Sequence, residues 1–246
     1  MTPALLHLAP HPDDELIGAP ATLMALRDAG WRVVNLACGL GSDPSRRERR
    51  ERELREACRR AGFELRLPEA PPLAAPEPER AAALRAAIDA ALDDVQPSVV
   101  VSPGPGDRHP AHAAVAAAAE EALRARGADT PRWWTWAVWG APERPTLATA
   151  FEAGRLREVA DALAAHAGEL LRNDYRRLVR GRAEACACLA PELLFGFGAE
   201  AAAERPIPEY AELLGELVPD ANGWRPGEPR WLDPAAPLPE PARDGP

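Results

Sequence analysis

Apolar and polar positions divide most of the chain into short strands and longer helices. Ala4 to Ala9 is an apolar run closed by Pro10, the form of a buried strand. From Leu16 to Ala29, Leu23, Leu26 and Ala29 share one side and Gly30 stops the run, which predicts a helix. Trp31 to Cys38 reads as the next strand, closed by Gly39 and Gly41. The stretch from Arg46 carries an apolar stripe at Leu54, Ala57, Cys58 and Ala61 and stops at Gly62, a second helix. A short strand over Phe63 to Leu67, a helix over Glu79 to Val95 and a valine-rich strand over Pro97 to Ser102 follow. A helix from His109 to about Arg126, strand-like RWWTWAVW from Arg132 and helical Phe151 to Leu171 complete the reading.

Strands alternating with helices of this length imply βαβ units. The expected fold is a single Rossmann-like α/β domain, with a mainly parallel sheet and helices on both faces. No internal repeat is present. The domain is expected over residues 1–218. Residues 219–246 form a Pro-rich C-terminal tail, extended, disordered or draped over the domain through Trp224 and Trp231.

Composition narrows the function. All 29 basic residues are Arg, and 38 acidic residues leave a net charge of −9. That balance argues against a general nucleic-acid or anionic-membrane binder. No apolar run approaches the roughly 18 residues of a membrane span, and the N-terminus has no basic leader, so a cytoplasmic location is expected. Cys38, Cys58, Cys186 and Cys188 form no CxxC pair and read as reduced thiols.

Two segments carry candidate chemistry. Pro10-His11-Pro12-Asp13-Asp14-Glu15 follows the first strand, and His109-Pro110-Ala111-His112 opens the helix after the valine-rich strand. In a doubly wound sheet these two strands are neighbours, and ligands collect beyond their carboxyl ends. His11 and Asp14, three residues apart, reach one point if the chain turns helically after Pro12. One histidine of the second segment would complete a two-histidine, one-carboxylate set that suits zinc with an open position for water. Asp13 would stay free as a proton acceptor, so the pattern points to hydrolysis. Singly, an Asp-Asp pair after a strand is an ordinary helix cap and HxxH a common accident. Their joint placement is what favours a site.

These residues resemble the PIG-L/LmbE-like de-N-acetylases, whose motifs read (A/P)HPDDE and HPDH. The likeness covers residues 4 to 200, including the Arg50-x-x-Glu-Leu segment. It implies that His11, Asp14 and His112 hold one zinc per chain, that Asp13 is the general base and that His109 steadies the oxyanion. The implied reaction removes the acetyl group from an N-acetylated amino sugar or glycoconjugate, and the implied partner is that small molecule; a homo-oligomer is compatible with it. Arg50 matches a position that can face substrate. Ala111 replaces the usual Asp of HPDH, His166-Ala-Gly-Glu stands where many members read His-x-Ser-Gln, and LPEAPPL offers no clear counterpart to an acidic residue after the third strand.

Several residues admit two readings. Trp134 and Trp136 share one face of their strand and Trp133 and Trp139 the other; the cluster reads either as buried packing or as an aromatic wall for a sugar ring, with Trp134 the candidate substrate contact. The charges of the second helix, among them Arg47/Glu51, Arg49/Glu53 and Glu51/Arg55, read as a solvated face. His7 reads as a packed core histidine and His166 as structural. With Ala at 111, Asp107 is the nearest carboxylate to His109 and is expected either to bond its ring and raise its pKa, or merely to cap the helix. Two rival functions remain. One is a sugar-binding protein without turnover, which would not need Asp13. The other is a non-haem Fe(II) enzyme, whose ligand set usually comes with a β-barrel.

Overall fold

A computed structural model describes residues 2–140, 144–200, 207–220 and 223–238. Strand β1 (Ala4–Ala9) is buried along its whole length, as its unbroken apolar run requires. After it come α1 (Asp14–Ile17), α2 (Pro20–Asp28), β2 (Arg32–Ala37), α3 (Arg47–Ala61) and β3 (Glu64–Arg66). Next are α4 (Arg80–Val95), β4 (Val99–Pro103), α5 (Pro110–Arg124) and β5 (Arg132–Trp136). The second part holds β6 (Leu147–Phe151), α6 (Ala153–Leu163), α7 (Ala167–Leu170), α8 (Tyr175–Phe195), β7 (Tyr210–Asp220), β8 (Gly223–Pro226) and β9 (Arg230–Trp231).

The strands form one mixed sheet in the order β3-β2-β1-β4-β5-β7-β6-β9, with β8 beside β7. Neighbours among β1 to β5 are parallel, and β7 runs antiparallel to β5 and β6. The sheet is therefore an α/β sheet with helices on both faces, as the alternation predicts. On one face Leu23, Leu54, Val159 and Val179 pack over Leu5, Val33, Trp134 and Trp136. On the other, Ile88 and Val115 pack over Leu6, Leu8, Val34, Val100 and Trp133.

Two predicted helices are each divided in two. The one expected over Leu16 to Ala29 breaks at Gly18, where a Cβ would stand 2.7 Å from the Trp136 ring, and restarts with Pro20 at its first position. The one expected over Phe151 to Leu171 begins as the end of β6 and breaks before His166, whose ring reaches back to Glu15 at 2.6 Å.

The boundary expected at residue 218 falls inside β7, and Gly223–Pro226 and Arg230–Trp231 continue the sheet. Trp224 packs edge-on against Trp133 at 5.1 Å, and Leu232 is buried. Residues 239–246 of the expected tail lie outside the described residues. All four thiols are free, with Cys38 and Cys58 buried. No helix among the described residues is long and apolar enough to cross a membrane.

Candidate functional site

Because β1 pairs directly with β4, the loops leaving their carboxyl ends meet at one edge of the sheet. Pro10-His11-Pro12 leaves β1, and Asp14 starts α1 soon after the strand ends. His109 is the N-cap of α5, with Pro110 at the first helical position and His112 one turn in. The histidine rings pack together, with centroids 4.7 Å apart for His11 and His109, 4.9 Å for His109 and His112, and 5.4 Å for His11 and His112.

At the centre stands one oxygen of Asp14. Its Oδ2 lies 3.3 Å from His11 Nδ1 and 3.4 Å from His112 Nε2, and it also accepts the His11 N–H at 2.8 Å. One ring nitrogen each of His11, His109 and His112 can be chosen within 4.8 Å of one another, so these three also group as potential ligands. Burial pulls the Asp14 carboxyl up, but His11 and His112 outweigh it and hold it below the usual carboxylate range.

Asp13 has φ 116°, a left-handed conformation that costs an aspartate about 1–3 kcal/mol and needs its surroundings to enforce it. Glu15 does so. Its Oε2 accepts the Asp13 N–H at 3.0 Å, and its Oε1 sits 2.6 Å from His166 Nε2. Glu15 and His166 are buried, so the pair ties the first motif to the break before α7. The sequence reading gave Glu15 no role, although it ends the motif. His166 is structural, as expected, with a partner that lies 151 residues upstream. The Asp13 carboxyl faces a cavity of about 280 Å³ that it shares with Asp14, Arg50, His109, His112, Trp139 and Tyr175. Burial, Asp14 and Glu15 push it well above the usual carboxylate range, against the pull of Arg50.

Arg50 is buried and lines the same cavity; its Nη2 donates to the Pro12 carbonyl at 3.1 Å, and its Nε stands 3.7 Å from Glu169. Gly41, at φ 89°, leaves room for the guanidinium; a Cβ there would collide with Arg50 Nη1. The face of α3 nearest the site is therefore not simply solvated.

Asp107 corrects one expectation. It does not bond the His109 ring. Its Oδ1 accepts the His109 backbone N–H at 3.0 Å, while Oδ2 lies 3.2 Å from His112 Nδ1 and accepts from Val138 N at 2.9 Å. The His109 Nδ1 instead accepts the Ala111 N–H at 3.2 Å, which leaves its proton on Nε2. Ala111 contributes its backbone, so the missing Asp takes nothing from this arrangement. Burial, together with His11 and His112, lowers the His109 pKa rather than raising it. Burial also pulls His112 down, but Asp107 and Asp14 on its two nitrogens lift it to about 9. Asp107 is itself held at about 2, because His112 and the His109 and Val138 amides outweigh its burial.

Trp134 lines neither the 280 Å³ cavity nor the larger one beside it. It is wholly buried and donates to Glu216 at 3.0 Å, so the aromatic-wall reading fails there. The exposed aromatic at the rim is Trp139, 46% exposed and 6.3 Å from the His109 ring. His7 is a core histidine, between Asn35 Oδ1 at 2.8 Å and Trp136 Nε1 at 3.1 Å.

Residues 6–123, from β1 to the last turn of α5, match the family model described as PIG-L, GlcNAc-PI de-N-acetylase. Over that stretch the chain resembles the PIG-L family. Both motifs lie within the match, whereas β5 and everything after it lie beyond. No curated protein sequence matches significantly. Solved structures with the same fold include a conserved protein from Thermus thermophilus, with 22% identity, TM-score 0.64 and coverage of 87% of this chain and 94% of the other. N,N'-diacetylchitobiose deacetylase from Pyrococcus horikoshii gives 17%, 0.62, and 87% and 83%. GalB, the 4-carboxy-2-hydroxymuconate hydratase from Pseudomonas putida, gives 16%, 0.60, and 89% and 98%. At these identities the likeness shows the fold, and the fold hosts more than one reaction.

Proposed function

We propose that this chain is a zinc-dependent hydrolase that removes the acetyl group from an N-acetylated amino sugar or glycoconjugate in the cytoplasm. The observation that carries the reading is the convergence of His11 Nδ1, Asp14 Oδ2 and His112 Nε2 beside the separate carboxyl of Asp13. The family description and the deacetylase among the structures of the same fold support the reaction class.

The donor set fits zinc. Tetrahedral ligands about 2.0–2.2 Å from one ion lie about 3.3–3.5 Å apart. The separations of 3.3 and 3.4 Å from Asp14 Oδ2 match that spacing and are long for hydrogen bonds. A carboxylate oxygen near each nitrogen of the His112 ring, Asp14 at 3.4 Å and Asp107 at 3.2 Å, supports a cation beside it. Asp107, behind His112 Nδ1, would orient the ring.

Zinc bound by His11, Asp14 and His112 would supply Lewis acidity, which acidifies water and polarises a carbonyl. Asp13 takes the proton of the attacking water, and its raised pKa makes it a stronger base than a solvated carboxylate. His109, neutral with its proton on Nε2, faces the developing oxyanion as a donor. Arg50 closes the cavity wall through Pro12 and is placed to touch bound substrate. The proton taken up by Asp13 passes to the amide nitrogen as the C–N bond breaks, so that the free amine and acetate leave.

The test is acetate release from a panel of N-acetylated sugars by zinc-loaded and chelator-treated protein. Zinc-dependent release supports the reading. Sugar binding without release would leave a binding protein. Release that Fe(II) restores and zinc does not would make the metal iron. Hydration of an unsaturated acid without release would place the chain with the hydratase.

A further inference from the structure

Beside the site lies a second and larger cavity of about 550 Å³, lined by Ser42, Arg47, Leu73, Glu77, Arg80 and Ala114 among others. His11 and His109 line both cavities, so the two adjoin at these histidines. A compact acetyl group needs only the smaller. The larger has room for the rest of a substrate.

Its charge is uneven. Arg80 is already held, by Glu77 Oε1 at 2.7 Å and the Ala75 carbonyl at 3.2 Å. Arg47 is not. The sequence pairs it with Glu51 one turn on, but Arg55 occupies Glu51 with two N–H donors. The other carboxylates of α3 are engaged as well, Glu48 by Arg52, Glu53 by Arg49 and Glu56 by Arg59 and Arg60. Arg50 is on Pro12. Of the seven arginines in α3, Arg47 alone has no partner among the described residues, and it borders the cavity. A guanidinium offers a planar fork of donors that matches a carboxylate or phosphate.

We propose that the larger cavity holds the amine-bearing part of the substrate and that Arg47 binds an oxyanion carried there, a phosphate or a carboxylate. The proposal rests on the deacetylase reading of the adjoining site. It makes the preferred substrate an anionic N-acetyl sugar.

Kinetics on three sugars test it: neutral N-acetylglucosamine, N-acetylglucosamine 1-phosphate and N-acetylmuramic acid, whose anion is a carboxylate. Wild-type kcat/KM is expected to be about tenfold higher for at least one anionic sugar than for the neutral one, and the arm that gains identifies the anion. Arg47→Ala should erase that ratio through KM, Arg47→Glu should invert it, and Arg47→Lys should restore part of it. An anionic-to-neutral ratio that is the same in wild type and Arg47→Glu overturns the proposal while leaving the deacetylase reading intact. If no sugar is turned over, the deacetylase reading falls, and calorimetry with glucosamine 1-phosphate reads the cavity directly. Binding about tenfold tighter to wild type than to Arg47→Glu supports the anion site; equal affinities overturn it.

Discussion

Residues 4–136 and residues 147–232 complete one sheet by different routes. In the first part, strands β1 to β5 lie parallel, each next strand is reached through one or more helices, and both functional motifs follow a strand's carboxyl end. In the second, β7 enters between β5 and β6 and runs against both, so its partners lie far off in sequence. The first part is held by apolar strands under amphipathic helices. The second is held in addition by carboxylates, one buried and one partly buried, that reach back into the first. Glu216 on β7 binds Arg132, Arg230 and the Trp134 indole. Glu212 accepts the Ala21 and Thr22 N–H groups at 2.8 and 2.7 Å, and so caps α2 from 191 residues away. The later region thus braces the helices behind the site without adding to the proposed metal ligands. Its direct additions to the 280 Å³ cavity are wall residues such as Glu169, Arg172 and Tyr175.

The division can be tested by damaging each part in turn. Asp13→Asn, in the first, should keep the metal and the fold yet lower kcat about 100-fold or more; steady-state kinetics with metal analysis would check it, and normal turnover would move the base elsewhere. Glu216→Ala, in the second, leaves partly buried Arg132 and Arg230 without their carboxylate and should cost about 3 kcal/mol in denaturant unfolding. Burial raises the Glu216 pKa, but Arg230, Trp134 and Arg132 outweigh it, so the folded value lies below the unfolded one. The carboxylate therefore stabilises fully above its unfolded pKa of about 4.3, and that contribution fades as pH falls through the folded value. Glu216→Ala should accordingly flatten the acid limb of the stability curve, and an unchanged limb would remove the linkage. Zinc affinity should be untouched by it.

Asp107→Asn returns to the first part with a smaller effect. Losing the carboxylate behind His112 should weaken zinc binding about tenfold by competitive chelation, with little change in melting temperature. An unchanged affinity would leave Asp107 as a cap alone. The smallest effect is expected from removing residues after Leu232, because Arg230 and Leu232 stay in place and Leu238 is the one partly buried apolar residue of 233–238 packed on the main core. A fall in melting temperature as large as that of Glu216→Ala would mean that the last residues hold the sheet.

The same contrast explains what the sequence made legible. Ala4–Ala9, Val99–Pro103 and the arginine-rich helix appear where local periodicity places them, because each buries its own apolar face. Both motifs were visible because each follows directly on such a strand. Helix α8 and strand β7 went unread. The apolar residues of α8 are dispersed among alanines and arginines, and β7 carries buried Glu216 and partly buried Glu212 inside an otherwise apolar run. Those carboxylates make sense only beside Arg132, Arg230 and the start of α2. Tertiary partners decide them, not period. The Asp107 expectation failed for a related reason: the nearest carboxylate in sequence to His109 turned its other oxygen toward His112, one helical turn on.

The central claim is that His11, Asp14 and His112 form one zinc site that the hydrolysis requires. It is tested most directly by zinc stoichiometry and acetate release measured together on wild type and His112→Ala. The account predicts one zinc per wild-type chain, with zinc and acetate release lost together in the variant. Full zinc occupancy and an undiminished rate in His112→Ala would contradict it.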